Sequence, residues 1–211
     1  MTTFMERAGR IWAQVAPLFG TRRDHAPIAD VAVLGEFVAS SSAYIAQRTL
    51  FSYVKTRMGT RYPLMFENST IIESLNMAKV RVAEACLSDL SIFAAGNVAE
   101  PGEAAALARH IYDRGLRELA AASFGPDNPD EFERRLAITD WADAAREADN
   151  FTASPRALLR WAPIADDLKR HDAEIVQNSI RYAWRDIREQ FRRRIDAPRV
   201  EADWREMSPR R

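Results

Sequence analysis

Apolar residues recur at steps of three and four along most of this chain, the period of one face of an α-helix. The clearest run lies between Thr70 and Asn97. Ile71, Leu75, Ala78, Val82, Cys86 (or Ala85) and Phe93 share one face, and Ile72, Ala83, Leu87, Leu90 and Ala94 widen it past half the circumference. A surface helix needs an apolar stripe of only about 100°, so this segment is expected to lie buried between neighbours. Thr70-x-x-Glu73 has the spacing of a capping box, in which two side chains each accept from an orphan N–H of the first turn. Gly96-Asn97, with Pro101 behind it, supplies a stop. At about 1.5 Å per residue the helix would span roughly 38 Å, long enough to be the centre of a bundle.

The flanking segments carry the same period. Residues 3–19 place Phe4, Ala8, Ile11, Trp12, Val15 and Phe19 on one side, with Pro17 bending the helix and a polar loop running to His25. Asp30 is positioned to cap a helix over Val31–Met58 that Gly59 stops ahead of Pro63. Within it, Ala39 to Ala43 form a run of small residues that lets another helix approach closely. Pro101 opens a helix to about Phe124 with Leu107, Ile111, Leu116 (or Gly115) and Leu119 on its face. Asn128-Pro129 opens the next, expected to run through Phe132, Leu136, Trp141 and Ala145 to about Ala148. Ser154-Pro155 starts a short helix broken by Pro163. Leu168, Val176, Ile180, Trp184, Ile187, Phe191 and Ile195 then form the seam of a long helix over about 164–195.

No segment alternates with the period of a strand. The pattern predicts an all-α protein: a single helical bundle of about seven helices with a long central helix (about 70–96) and a long C-terminal helix (about 164–195). Its expected organisation is an amphipathic N-terminal helix and loop over 1–25, a bundle domain over 26–196, and a charged tail over 197–211 that frays.

Composition narrows the function classes. The formal net charge is zero, so no bulk field draws the chain to nucleic acid or anionic membrane, and nucleic acid is not an expected partner. The single Cys86 cannot close an internal disulfide, which suits a reducing compartment. Around the central helix Lys79, Arg81, Glu84 and Asp89 interrupt what would otherwise approach the roughly 18 apolar residues of a membrane span. Residues 1–20 hold no uninterrupted apolar core of a signal peptide. A soluble cytoplasmic protein is expected, with Phe4, Ile11, Trp12 and Phe19 available for peripheral contact with the inner face of a membrane.

Candidate chemistry is sparse. His171-x-x-Glu174 occurs once, in the order opposite to that of di-iron bundles, with His110 and Asp113 in a similar relation. No phosphate-binding loop and no nucleophile–base arrangement stands out. No metal, cofactor or catalytic residue is therefore assigned. Cys86, mid-helix among apolar neighbours, is expected to be inert. Asp89 lies between Leu87 and Leu90 in the most apolar part of the central helix, where a lone carboxylate is costly. It is either a buried acid with a role in a pocket or a partner of an Arg or Tyr on a neighbouring helix.

Two basic features remain. Residues 48–61 carry Arg48, Lys55, Arg57 and Arg61 with no acid, together with Tyr53. On the last helix Arg181, Arg185, Arg188 and Arg192 form a stripe, and residues 181–194 hold six Arg against Asp186 and Glu189. Residues 97–150, by contrast, hold twelve acids and six Arg. Such segregation suits contacts inside the bundle, between copies or with another protein. The leading functional expectation is a non-catalytic helical protein acting through protein–protein contacts, as an adaptor, assembly factor, accessory subunit or homo-oligomer. The alternatives are an enzyme or small-ligand binder with a pocket between helices 31–58 and 70–96 using Glu36, Tyr44, Arg48 and Asp89, and a peripheral membrane protein anchored by residues 3–19.

Overall fold

The structure, a computed structural model, describes residues 26–120, 128–144 and 151–208. The expected helix over 3–19 and its loop lie outside them. The described residues form eight α-helices and no strand, as the apolar periodicity predicts. These are α1 (Val31–Met58), α2 (Ser69–Val98), α3 (Pro101–Ala120), α4 (Pro129–Ile138), α5 (Ala153–Trp161), α6 (Asp166–Lys169), α7 (Ala173–Arg194) and α8 (Ala197–Met207), with a 3-10 segment, Gly59–Glu67, after α1.

α2 is the 30-residue axis of the bundle. It packs chiefly against α1, α3 and α5, while α1 also meets α3 and α7. From Val82 to Ala95 every residue except Ala85 is buried, whereas Ile71 and Ile72 near its start are half-buried. Close approach is made possible by small residues. Ala39, Ser41, Ser42 and Ala43 of α1 are buried, and a Cβ placed on Gly115 of α3 would stand 2.6 Å from Leu87 Cδ1. The seam of α7 completes the core with aromatic contacts: Phe191 lies 5.4 Å from Phe93 and 5.9 Å from Phe37, and Trp184 stacks on Phe151 at 4.4 Å.

Local signals explain most helix ends. The Asp30 carboxylate accepts from Val33 N at 2.7 Å, and Gly59 takes the positive φ of 54° that stops α1. The expected capping box does not form, because Asn68, two residues before Thr70, is the cap and accepts from Thr70 N and Ile71 N at 3.0 and 3.3 Å. Gly96 and Asn97 remain helical up to Val98, where extended Ala99 ends the helix. α4 stops at Ile138, well before the expected end, since extended Thr139 and an Asp140 turn close it.

Two corrections concern the C-terminal third. The long helix expected over 164–195 is divided into the four-residue α6 and the 22-residue α7. At His171 and Asp172 the backbone tightens to i→i−3 bonds of 3.2 and 3.0 Å, and Asp172 turns inward to α1. The tail expected to fray is instead helical over Ala197–Met207. Val200 and Trp204 are buried, Trp204 lies 5.5 Å from His110, and the Asp203 carboxylate accepts from Val31 N at 2.8 Å. A tail that caps α1 and buries a Trp has reason to fold. An isolated parallel bridge, Ile28 to Ile195, holds the start of the described chain against the α7–α8 junction.

Trp204 is 7% exposed. W204A is therefore expected to lower the unfolding free energy by about 3 kcal/mol, in the range for buried Trp truncation; urea titration checks it, and a frayed tail would lose less than about 0.5 kcal/mol. Its neighbour His110 yields a pH prediction. Burial, then the Arg114 and Arg117 guanidiniums, hold the imidazole below its usual 6.5, against a smaller opposing pull from Asp113. The folded chain thus binds this proton less readily than the unfolded chain, so the His110 contribution is complete above about pH 6.5 and is lost as pH falls through the depressed folded value. Urea midpoints of wild type and H110Q at about pH 7.5 and pH 5 are expected to show wild type losing ground to the variant on acidification.

Candidate functional site

Two surfaces gather the polar residues that the core does not need, and both are organised by a buried carboxylate. On the first, Asp89 of α2 is 2% exposed. It accepts from Arg135 Nη2 at 2.6 Å, Ala153 N at 3.2 Å, Ser154 N at 2.9 Å and Ser154 Oγ at 2.7 Å. Ala153 and Ser154 are the first residues of α5, whose own cap residue Thr152 makes no side-chain cap bond. Asp89 therefore caps α5 from another helix, where orphan N–H groups and the helix dipole favour an anion. Arg135 also donates to Ser88 Oγ, and Trp184 Nε1 donates to Ser154 Oγ at 3.3 Å. Of the two roles open to Asp89, the geometry is that of the partnered carboxylate. Beside it, burial pushes the Cys86 thiol well above its ordinary pKa, with Asp89 adding to the effect, which leaves it a poor nucleophile.

Next to this cluster a cleft of about 330 Å³ opens between α2, α5 and the start of α4. Two helical stripes face each other across it: Arg81, Glu84, Ala85 and Ser88 of α2, and Ala153, Arg156, Ala157, Arg160 and Trp161 of α5. Tyr112, Asn128, Glu131 and Phe132 close one end. Arg81 and Glu84 pair at 3.2 Å with only 12% and 11% of their side chains exposed. Trp161 lies under two guanidiniums, Arg160 at 5.1 Å and Arg81 at 5.6 Å. Burial first, then Glu84, raise the Tyr112 phenol, so it stays an O–H donor.

The second surface joins α1 to α7. Asp172, fully buried, accepts from Tyr53 Oη and Arg57 Nε at 2.6 Å each, and Arg57 Nη2 pairs with its other oxygen. Burial raises the Tyr53 phenol against the lowering influence of Arg57. Further along, Arg48 approaches Asp186 at 3.8 Å and Tyr44 Oη at 3.3 Å. The two basic stretches recognised in the sequence thus share one face. Arg185 stacks on Tyr182 at 4.2 Å, and Arg188 turns over the Phe151 ring at 5.7 Å. Arg181, Arg192, Lys55 and Arg61 are exposed. Between the helices runs a groove of about 320 Å³ lined by Arg48, Thr49, Ser52, Asn178, Ser179, Tyr182 and Ala183.

The sequence-derived site residues therefore divide. Tyr53 and Arg57 face inward, on Asp172, whose one sequence signal is a carboxylate beside the apolar seam of the last long helix. Glu36, Tyr44, Arg48 and Asp89 do not converge on a pocket between α1 and α2: Glu36 faces Arg114 at 3.5 Å, Tyr44 meets Arg48, and Asp89 is sealed beneath α5. The cleft residues Arg156, Arg160 and Trp161 were missed because a face shared by two helices has no signature in either one. Among the described residues no helix is long and apolar enough to cross a membrane and no metal-holding group of His, Cys, Asp and Glu occurs. No family model, curated protein or solved structure matches the chain.

D89N removes the charge opposite Arg135 and turns an amide donor toward the N–H groups of α5. Breaking a buried pair in this way is expected to lower stability by about 3–5 kcal/mol, read from urea unfolding. A loss under about 1 kcal/mol would place the contact with exposed ion pairs.

Proposed function

We propose that the chain is a non-catalytic helical protein that works through protein–protein contacts, with the α1/α7 face as its docking surface for an acidic, apolar-bearing segment of a partner. The observation that carries this reading is the outward stripe of α7. Ile175 and Tyr182, seven residues apart, are 57% and 62% exposed while the opposite seam, from Val176 to Phe191, is buried. Single exposed apolar residues are common. Here the Tyr is stacked by Arg185, borders the α1/α7 groove and sits among Arg48 and Arg181. Tyr and Arg are the residue types enriched at binding hot spots, and a basic rim selects and orients an acidic partner.

Cytoplasmic placement suits this role, since lone Cys86 needs no oxidising compartment. We also infer, from the sequence spacing alone, contact with a partner or with the inner face of a membrane through Phe4, Ile11, Trp12 and Phe19 of the amphipathic segment 3–19.

A photo-crosslinking amino acid at position 182, compared with one at exposed Arg199 of α8, tests the docking face in the native cell. Discrete protein adducts are expected from 182 and not from 199, reduced about tenfold or more by R185E, whose Tm should be unchanged. Equal adducts from both positions, or none from 182, would refute the assignment.

A further inference from the structure

The cleft between α2 and α5 lies apart from that docking face and needs its own account. α2 and α5 pack against each other, and where Ala85, Ala153 and Ala157 line the cleft their short side chains leave space that larger ones would fill. Its walls are not those of an accidental void. A nearly buried ion pair such as Arg81–Glu84 is often no more stabilising than apolar residues of the same volume; set beside an open cleft, it serves recognition better than stability. The α5 side is cationic and aromatic, with Arg156 held by Nε donation to Thr152 O at 2.9 Å and Trp161 beneath Arg160. The other walls carry Glu84 with its partner Arg81, together with Glu131 and Tyr112. A volume of about 330 Å³ sits at the small end of ligand pockets, about 300–1,000 Å³.

We propose that this cleft binds a free α-amino acid with an apolar side chain. The ligand carboxylate lies toward Arg160 and the outer edge of Arg156, whose Nε and Nη2 donate to Thr152 O and Oγ1 at 2.9 and 3.3 Å and so hold the guanidinium in place. Its ammonium lies toward Glu84 and Glu131, and its side chain covers the alanines and Trp161. A plain anion would meet two carboxylates and a plain cation three guanidiniums, so the mixed wall favours a ligand carrying both charges.

The full-length protein is titrated with L-phenylalanine, L-leucine, 3-phenylpropanoate and 2-phenylethylamine, following backbone amide resonances. Saturable shifts centred on Ala85, Ser88 and Ala157 are expected with at least one of the two amino acids at about millimolar concentration. The analogues lacking the ammonium or the carboxylate should bind about tenfold or more weakly. R156A should weaken the amino acid about tenfold, and A157W, which fills the gap, should abolish saturation. Should A157W fail to fold, the wild-type shift map and R156A decide alone. No saturable shift with either amino acid, shifts centred elsewhere, 3-phenylpropanoate binding as tightly as L-phenylalanine, or an unaffected R156A would each overturn the assignment. None of these outcomes bears on crosslinking at position 182.

Discussion

A carboxylate buried in the middle of the longest helix is the constraint around which this bundle is arranged. Asp89 is almost fully buried, so its lone pairs must be satisfied by buried donors. They are met by one guanidinium from α4, two backbone N–H groups of α5 and the Ser154 hydroxyl. Those partners fix where α4 and α5 sit. Once α5 is seated, Ser154 reaches Trp184 and so ties in α7. One side chain thereby sets the positions of three other helices. The same device recurs at the opposite end of the chain, where Asp203 of α8 satisfies the first N–H of α1. Helix N-termini in this fold are capped across the bundle as well as from within.

Asp172 works in the same currency with a different consequence. Held by Tyr53 and Arg57, it interrupts the last long apolar seam and sets the direction from which α7 starts. The buried face of α7 then meets Phe37, Phe93 and Phe151, and the face carrying Ile175 and Tyr182 is left outward beside Arg48. A basic, aromatic-bearing face follows from how one acid is satisfied. The cleft has a similar origin: Asp89 holds the start of α5 against α2 beside a stretch where both helices carry alanine. The two surfaces assigned a binding role are by-products of the polar contacts that hold the core together.

They also differ in kind. The α1/α7 groove is bordered by Arg48 and by exposed Tyr182 stacked on Arg185, residue types enriched at macromolecular contacts. The α2/α5 cleft, of similar volume, is mixed in charge and partly walled by buried side chains, which suits a compact ligand. They lie on different helix pairs, sharing neither α1 nor α2, so a protein partner and a small ligand would not compete for the same residues.

Much of the architecture was legible in residue order, because the forces that set it are local. The three-four apolar steps identified α1, α2, α3 and the inward seam of α7, and the Asp30 and Gly59 signals marked the ends of α1 within a turn. Asn68 displaced the Thr70 capping box for the same local reason, an acceptor placed two residues earlier. Asp89 stood out as a polar residue in an apolar stripe. Its partners did not, since Arg135 and Ser154 lie 46 and 65 residues away. Asp172 and Arg57 are 115 residues apart, and Val31 and Asp203 172. Helix content and buried faces depend on spacing within a few turns, which the sequence by itself determines. The broken seam, the folded tail, the joined basic face and the alanine-lined cleft depend on which buried charge meets which donor, and only the packing of helices distant in sequence decides that.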